Sequence, residues 1–226
     1  MKNLIKITLL TLAFAFVITG STYADNKPFE GIITYKISYP DSDFDAQTMA
    51  ALPKVATMYV KDNFVKVKVN TGFGATQTIV NTEEMTGTVL MDMMGQKFAM
   101  KQSKEDFEKE LNNIETEVEF LDESKEIAGY DCKKAIVKGS NKETGETFTY
   151  SVFYTEEIKS PGSNLTKPIF KDIPGMLMEY EIKNQGFTMF FTTSDVNKKR
   201  ISDDEFEIPE GYTLTTEEEL RSNFGM

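Results

Sequence analysis

Histidine and tryptophan are missing from this 226-residue chain, and cysteine occurs once. Without histidine there is no Ser-His-Asp triad, no Cys-His nucleophile and no imidazole metal ligand. A single cysteine excludes an internal disulfide and any zinc or iron–sulfur site built from several thiolates. Basic residues are scarce as well: 25 Lys+Arg stand against 36 Asp+Glu, a net charge of −11. Phosphate binding runs on clustered Lys and Arg, so this balance argues against nucleic acid and against an anionic membrane surface as partner. No cofactor or metal is expected. Gly/Ser/Pro linkers, low-complexity tracts and internal repeats are also lacking, which favours one domain.

The apolar run Ile7 to Ile18 is too short for a bilayer-spanning helix, which needs about 20 residues. It follows Lys2 and Lys6 and is closed by Gly20-Ser21-Thr22-Tyr23-Ala24, the charged, apolar, small-residue order of a secretory signal. Residues 1–24 are therefore expected to be a signal peptide cleaved after Ala24, with residues 25–226 a single exported domain, periplasmic or secreted. Removing that segment takes away two lysines and no acid, so −11 becomes −13. An integral membrane protein is not expected.

What is present is period-2 alternation. Ile33, Tyr35, Ile37 and Tyr39 share a face; Val65, Val67 and Val69 alternate with Lys66, Lys68 and Asn70; Phe148, Tyr150, Val152 and Tyr154 alternate with Thr147, Thr149 and Ser151. Val118 and Phe120, and Met176, Met178, Tyr180 and Ile182, repeat the pattern. One apolar and one wet face is the mark of antiparallel strands. Asp62-Asn63, Met94-Gly95, Asn141 to Gly145 and Asn184 to Gly186 are turn signals between them. The expectation is an α+β, mostly β fold: a meander of roughly ten strands, too wide to stay flat. Helices are expected at Asp41–Leu52 and at Ser103–Ile114, the latter with Ser103 and Asp106 as a capping pair, and a third after Thr215 and Glu218.

Three segments resemble known sequences. Ile127-Ala128-Gly129-Tyr130-Asp131-Cys132 resembles a strand-opening motif of exported Gram-negative proteins of unknown function. Asp172-Ile173-Pro174-Gly175-Met176-Leu177 resembles the Gly-Leu-Pro-Gly-Leu-Ile run of the GLPGLI family, matching at Pro174 and Gly175. Phe206-Glu207-Ile208-Pro209-Glu210-Gly211-Tyr212 resembles the closing motif of such domains. These families are similar in fold to the LolA/LolB lipoprotein carriers. The resemblance implies a strongly curved antiparallel sheet, an incomplete barrel with an apolar concave face and two or three short helices on that side. It transfers no residue role.

The methionines point to a binding surface. Met91, Met93 and Met100 lie on one hairpin with Met94, and Met176, Met178 and Met189 on a later one with Phe187 and Phe191. Flexible thioethers suit variable apolar ligands, so these residues are the candidate walls of a cavity for a lipid or lipoprotein acyl chain. The bland reading is ordinary core filling. The alternative function is a structural or interaction module whose concave face grips a partner such as an envelope protein or is plugged by its own helices at Asp41–Leu52 and Ser103–Ile114. Asp41-Ser42-Asp43-Phe44-Asp45 opens like a calcium loop, but Ala46 and Leu52 stand where Gly and Glu are required. Glu179 and Glu181 share a strand face and are the one carboxylate pair considered for acid/base chemistry; a solvated face is expected instead, and no enzymatic activity.

Overall fold

The computed structural model describes residues 27–40, 42–93, 95–184 and 186–224. The segment 1–24, expected to be a signal peptide, and Met94 lie outside them. Twelve strands form one sheet: β1 Gly31–Ser38, β2 Val55–Lys61, β3 Phe64–Thr71, β4 Gly74–Asn81, β5 Thr86–Met93, β6 Gln96–Gln102, β7 Ile114–Ile127, β8 Tyr130–Asn141, β9 Thr147–Thr155, β10 Met176–Asn184, β11 Phe187–Lys198 and β12 Thr213–Leu214. Their order is β12-β6-β5-β4-β3-β2-β1-β11-β10-β9-β8-β7. Every pairing is antiparallel except the short β12–β6 pair. The expected meander is therefore two meanders meeting at β1.

Curvature follows from the connection between the sheet's two sides. Ten inter-strand steps separate β6 from β7, about 48 Å if the sheet were flat. Yet the ten-residue helix α2, Lys104–Asn113, joins them directly, and ten helical residues span only about 15 Å. The sheet must curl until its flanks approach, and it does so without closing.

α2 starts as its sequence dictates. The Ser103 side chain accepts from the Asp106 N–H at 3.2 Å, and the Asp106 carboxylate accepts from the Ser103 N–H at 2.8 Å. Its one buried residue, Phe107, rests on Gly87 of β5, where a Cβ would stand 2.8 Å from the Phe107 ring. The first helix, α1, is shorter than the expected Asp41–Leu52, spanning Ala46–Ala51, because Asp45 caps it, accepting from the Thr48 N–H at 2.7 Å; Asp41 lies outside the described residues. The third, α3 Glu217–Phe224, is capped by Thr216 and Glu219, one residue beyond the expected Thr215 and Glu218.

The expectation that helices fill the concave side is corrected. α1 buries no side chain, and α2 contributes Phe107 alone. The filling comes from residues 156–175, between β9 and β10, which carry two short 3-10 turns, Ser163–Thr166 and Pro168–Phe170. Ile158, Phe170 and Ile173 of this connection are buried within the main core. Asn164 pins it, its amide donating to the carbonyls of Ile173 at 3.0 Å and Gly175 at 2.9 Å.

The convex face has its own cover. Residues 201–214 cross it, with Phe206 and Tyr212 packed on Ile79, Leu90 and Ala99. Lys66, expected on a wet face, is instead buried there, paired with Glu205 and lying 4.5 Å above the Tyr59 ring. The Phe206–Tyr212 motif is thus a strap that ends by adding β12 to the β6 edge.

Candidate functional site on the concave face

Directly opposed residues in an antiparallel ladder project to the same face of the sheet. The registers can therefore be followed strand to strand. Met91 opposes Thr76, then Val69, Ala56, Tyr35 and Thr193. Met100 opposes Val89, then Thr78, Val67, Met58 and Ile33. Phe191 opposes Ile37 on one side and Tyr180 on the other, and Met189 opposes Ile182. These rows place Met91, Met93, Met100, Phe187, Met189 and Phe191 on one face, the face that holds buried Ile33, Tyr35 and Met58.

That face has two parts. Around Phe170 it is packed solid. The Phe170 ring meets Tyr150 and Tyr180 edge-on at 5.9 and 5.6 Å; Tyr180 stacks on Phe191 at 4.7 Å and meets Tyr35 at 5.8 Å. Met176 and Met178 belong here, both essentially without solvent contact. Met178 sits where the β9–β10 register shifts, and its sulfur accepts from the Thr193 hydroxyl at 3.8 Å. Towards the β10–β11 turn the cover thins. Val67, Val69, Ile182, Phe187 and Met189 are half-buried, as are Met91, Met93 and Met100 on the facing hairpin. Tyr39, Phe44 and Phe187 form an aromatic cluster at this end, with ring separations of 5.4 to 6.4 Å.

Besides the threonines of these rows, Lys167 and Tyr180 bring polar groups to this apolar surface, and of these two only Tyr180 lies on an alternating strand. The Lys167 ammonium, carried by the connection between the two 3-10 turns, lies 5.2 Å from the centre of the Tyr180 ring. Burial lowers it to about 8, and no carboxylate among the described residues pairs with it. Burial also raises the Tyr180 phenol well above its ordinary range. Nothing in Thr166-Lys167-Pro168 marks that lysine in sequence, because no periodicity runs through the segment.

A separate cavity of about 600 Å³ opens at the seam between the sheet's flanks, bordered by Met100, Glu110, Ile114, Ile169 and Thr216. Burial raises the Glu110 carboxyl there. The carboxylate pair is engaged elsewhere: Glu179 bonds Lys125 at 2.6 Å, and Glu181 lies 3.5 Å from Lys183. Cys132 is fully buried and free, its thiol raised to about 11 chiefly by that burial, so little of it is thiolate at neutral pH. Among the described residues no group of three or more acidic or cysteine side chains could hold a metal ion, and no helix is long and apolar enough to cross a membrane.

No protein-family model matches the chain, and no curated protein matches its sequence.

Proposed function

We propose that this is an exported, non-catalytic binding protein, LolA-like in architecture, that holds an apolar chain along the uncovered part of its concave face. The observation that carries the reading is the split of that face. Phe170 and its neighbours are packed tightly, whereas Ile182, Phe187, Met189, Met91 and Met93, on the same face, keep solvent contact. Half-exposed apolar walls on the inside of a curved sheet gain about 25 cal/mol for each Å² that a ligand covers. The flexible thioethers let the surface adapt to chains of different length. The charged, apolar and small-residue order of residues 1–24 supports export.

The test uses neutral molecules, so that charge plays no part. N-phenyl-1-naphthylamine should bind saturably with enhanced fluorescence, and dodecanol should displace it. Met189→Glu should abolish binding while leaving the far-ultraviolet circular dichroism and the unfolding midpoint close to the parent's. Absence of saturable dye binding to the purified chain, after solvent extraction, would overturn the reading.

A second reading, an interaction module with a self-filled interior, is favoured by the buried connection 156–175. On that reading the protein binds neither dye nor chain.

A further inference from the structure

The apolar surface contains a cation that its own fold leaves unanswered. Lys167 is half-buried, and an ammonium partly stripped of water on an apolar surface is costly without a hydrogen-bonded counter-charge. Lys171, four residues on in the same connection, is satisfied: its Nζ donates to the carbonyls of Leu111 and Ile114 at 2.9 Å each. Lys125, Lys133, Lys134 and Lys138 all have carboxylates. Lys167 faces the flat of an aromatic ring, a contact that offsets only part of its desolvation.

The ring it faces has the second unanswered group. Tyr180 is 2% exposed, and its hydroxyl makes no hydrogen bond among the described residues, whereas Tyr35 beside it donates to Leu177 at 2.9 Å. A phenol so nearly enclosed normally finds a protein partner. Neither this hydroxyl nor the Lys167 ammonium is sealed from water, for among the described residues the unpartnered polar side-chain atom shut away from solvent is Ser160 Oγ, so both donors stand open to a ligand. The two groups thus place three ammonium protons and one hydroxyl proton in one locality, with no acceptor of the protein's own.

Their position fits the end of a trough. Tyr180 marks the boundary between the packed and the half-buried parts of the concave face. From it the same face continues along β10 to Ile182 and along β11 from Phe191 to Met189 and Phe187, each step of two residues advancing roughly 7 Å. The half-buried wall therefore begins at the polar pair and runs to the aromatic cluster of Tyr39, Phe44 and Phe187.

Resting on the reading above of an apolar-chain binder, we propose that Lys167 and Tyr180 form a head-group subsite that receives the carboxylate or phosphate of an anionic amphiphile, its chain lying along Ile182, Met189 and Phe187. The anion accepts from the Lys167 Nζ and from the Tyr180 hydroxyl, so a bound head group engages both donors at once. At pH 7 the ammonium still carries its charge, since burial lowers it only to about 8. Hydrogen bonds to charged groups discriminate by roughly tenfold or more when one partner is otherwise left bare.

The experiment compares dodecanoate, dodecyl phosphate and dodecanol as competitors of N-phenyl-1-naphthylamine at pH 7, on the parent chain, Lys167→Met and Tyr180→Phe. The expected result is that dodecanoate competes at least about tenfold better than dodecanol on the parent. In Lys167→Met that ratio should fall to about one, with dodecanol unchanged, and in Tyr180→Phe it should fall part of the way. Unchanged dodecanol competition separates loss of the head-group contact from damage to the trough. Dodecyl phosphate matching dodecanoate assigns the subsite to anionic heads generally, and a weaker dodecyl phosphate assigns it to carboxylates. Equal competition by dodecanol and dodecanoate on the parent overturns the subsite and leaves the apolar trough standing. Failure of all three to displace the dye overturns both.

Discussion

The Tyr35 hydroxyl donates to the Leu177 carbonyl oxygen at 2.9 Å, across 142 residues of chain and entirely inside the core. Leu177 precedes Met178, where β10 falls out of register with β9. Where a bulge interrupts a ladder, a buried carbonyl needs a partner other than water. Tyr35 supplies it and so ties the central strand β1 to the bulge beside the connection 156–175.

Tyr35→Phe should therefore lower unfolding free energy by about 1–3 kcal/mol, the cost of leaving a buried acceptor without its donor. Urea denaturation followed by circular dichroism measures it. Burial holds the Tyr35 phenol far above its ordinary range, so the native state keeps its proton while the unfolded chain releases it near pH 10. The parent's advantage over Tyr35→Phe should shrink as pH rises above about 10.

Phe170→Ala should be the most damaging single truncation in the connection, costing about 3–5 kcal/mol. Phe170 is fully buried and touches Tyr150 and Tyr180, while the connection otherwise has little regular structure to hold it. Limited proteolysis followed by mass spectrometry should show cleavage between residues 156 and 175 in the variant well before the parent is cut.

Lys171→Met should loosen α2 without unfolding the sheet. The last carbonyls of a helix have no partner within it, and Lys171 reaches Leu111 and Ile114 from the concave side. Amide hydrogen exchange over residues 104–113 should quicken by roughly tenfold or more, corresponding to about 1.5–3 kcal/mol for two charge-assisted bonds. Exchange in β1 and β2 should be unaltered.

Lys167→Met should be more stable than the parent at pH 7, because it removes a half-buried, partly desolvated charge that no acid among the described residues answers. The sign with pH follows from the lowered value, about 8 in the folded chain against about 10.4 in the unfolded one. Below pH 8 both states carry the proton and the parent bears the whole desolvation cost. Between about 8 and 10.4 the folded state loses the proton first, so the parent gains stability and the gap between the two should close. Thermal unfolding of both chains from pH 7 to 10 reads it.

The local signals survived folding where the competing contacts were weak. Ser103 and Asp106 cap α2 as their spacing indicates, since both partners lie on an exposed helix end with nothing else to bind. The C-terminal cap moved by one residue for a tertiary reason. Thr215-Thr216-Glu217-Glu218-Glu219 offers two equivalent capping pairs, but the Thr215 N–H bonds the Ala99 carbonyl at 3.0 Å as an extension of β12. Thr215 is committed to the sheet edge, so Thr216 takes the cap. Lys66 alternates as a solvent residue would, and only the passage of Glu205 over β3 buries it.

Alternating side chains and turn residues alone determined that this chain forms antiparallel strands with Met91, Met93, Met100, Phe187, Met189 and Phe191 on apolar faces, because strand periodicity and hairpin turns act over a few residues. Only the tertiary structure decided that those residues share one concave face, that residues 156–175 rather than helices fill half of it, and that Lys167 comes to rest on Tyr180. Curvature and filling depend on contacts between residues far apart in the chain, and a stretch with no periodicity gains its structure from the surface it covers. The absences in the composition keep their meaning within that frame. A protein without histidine and with a single buried cysteine sets a half-buried lysine, Lys167, against the Tyr180 ring inside a curved sheet.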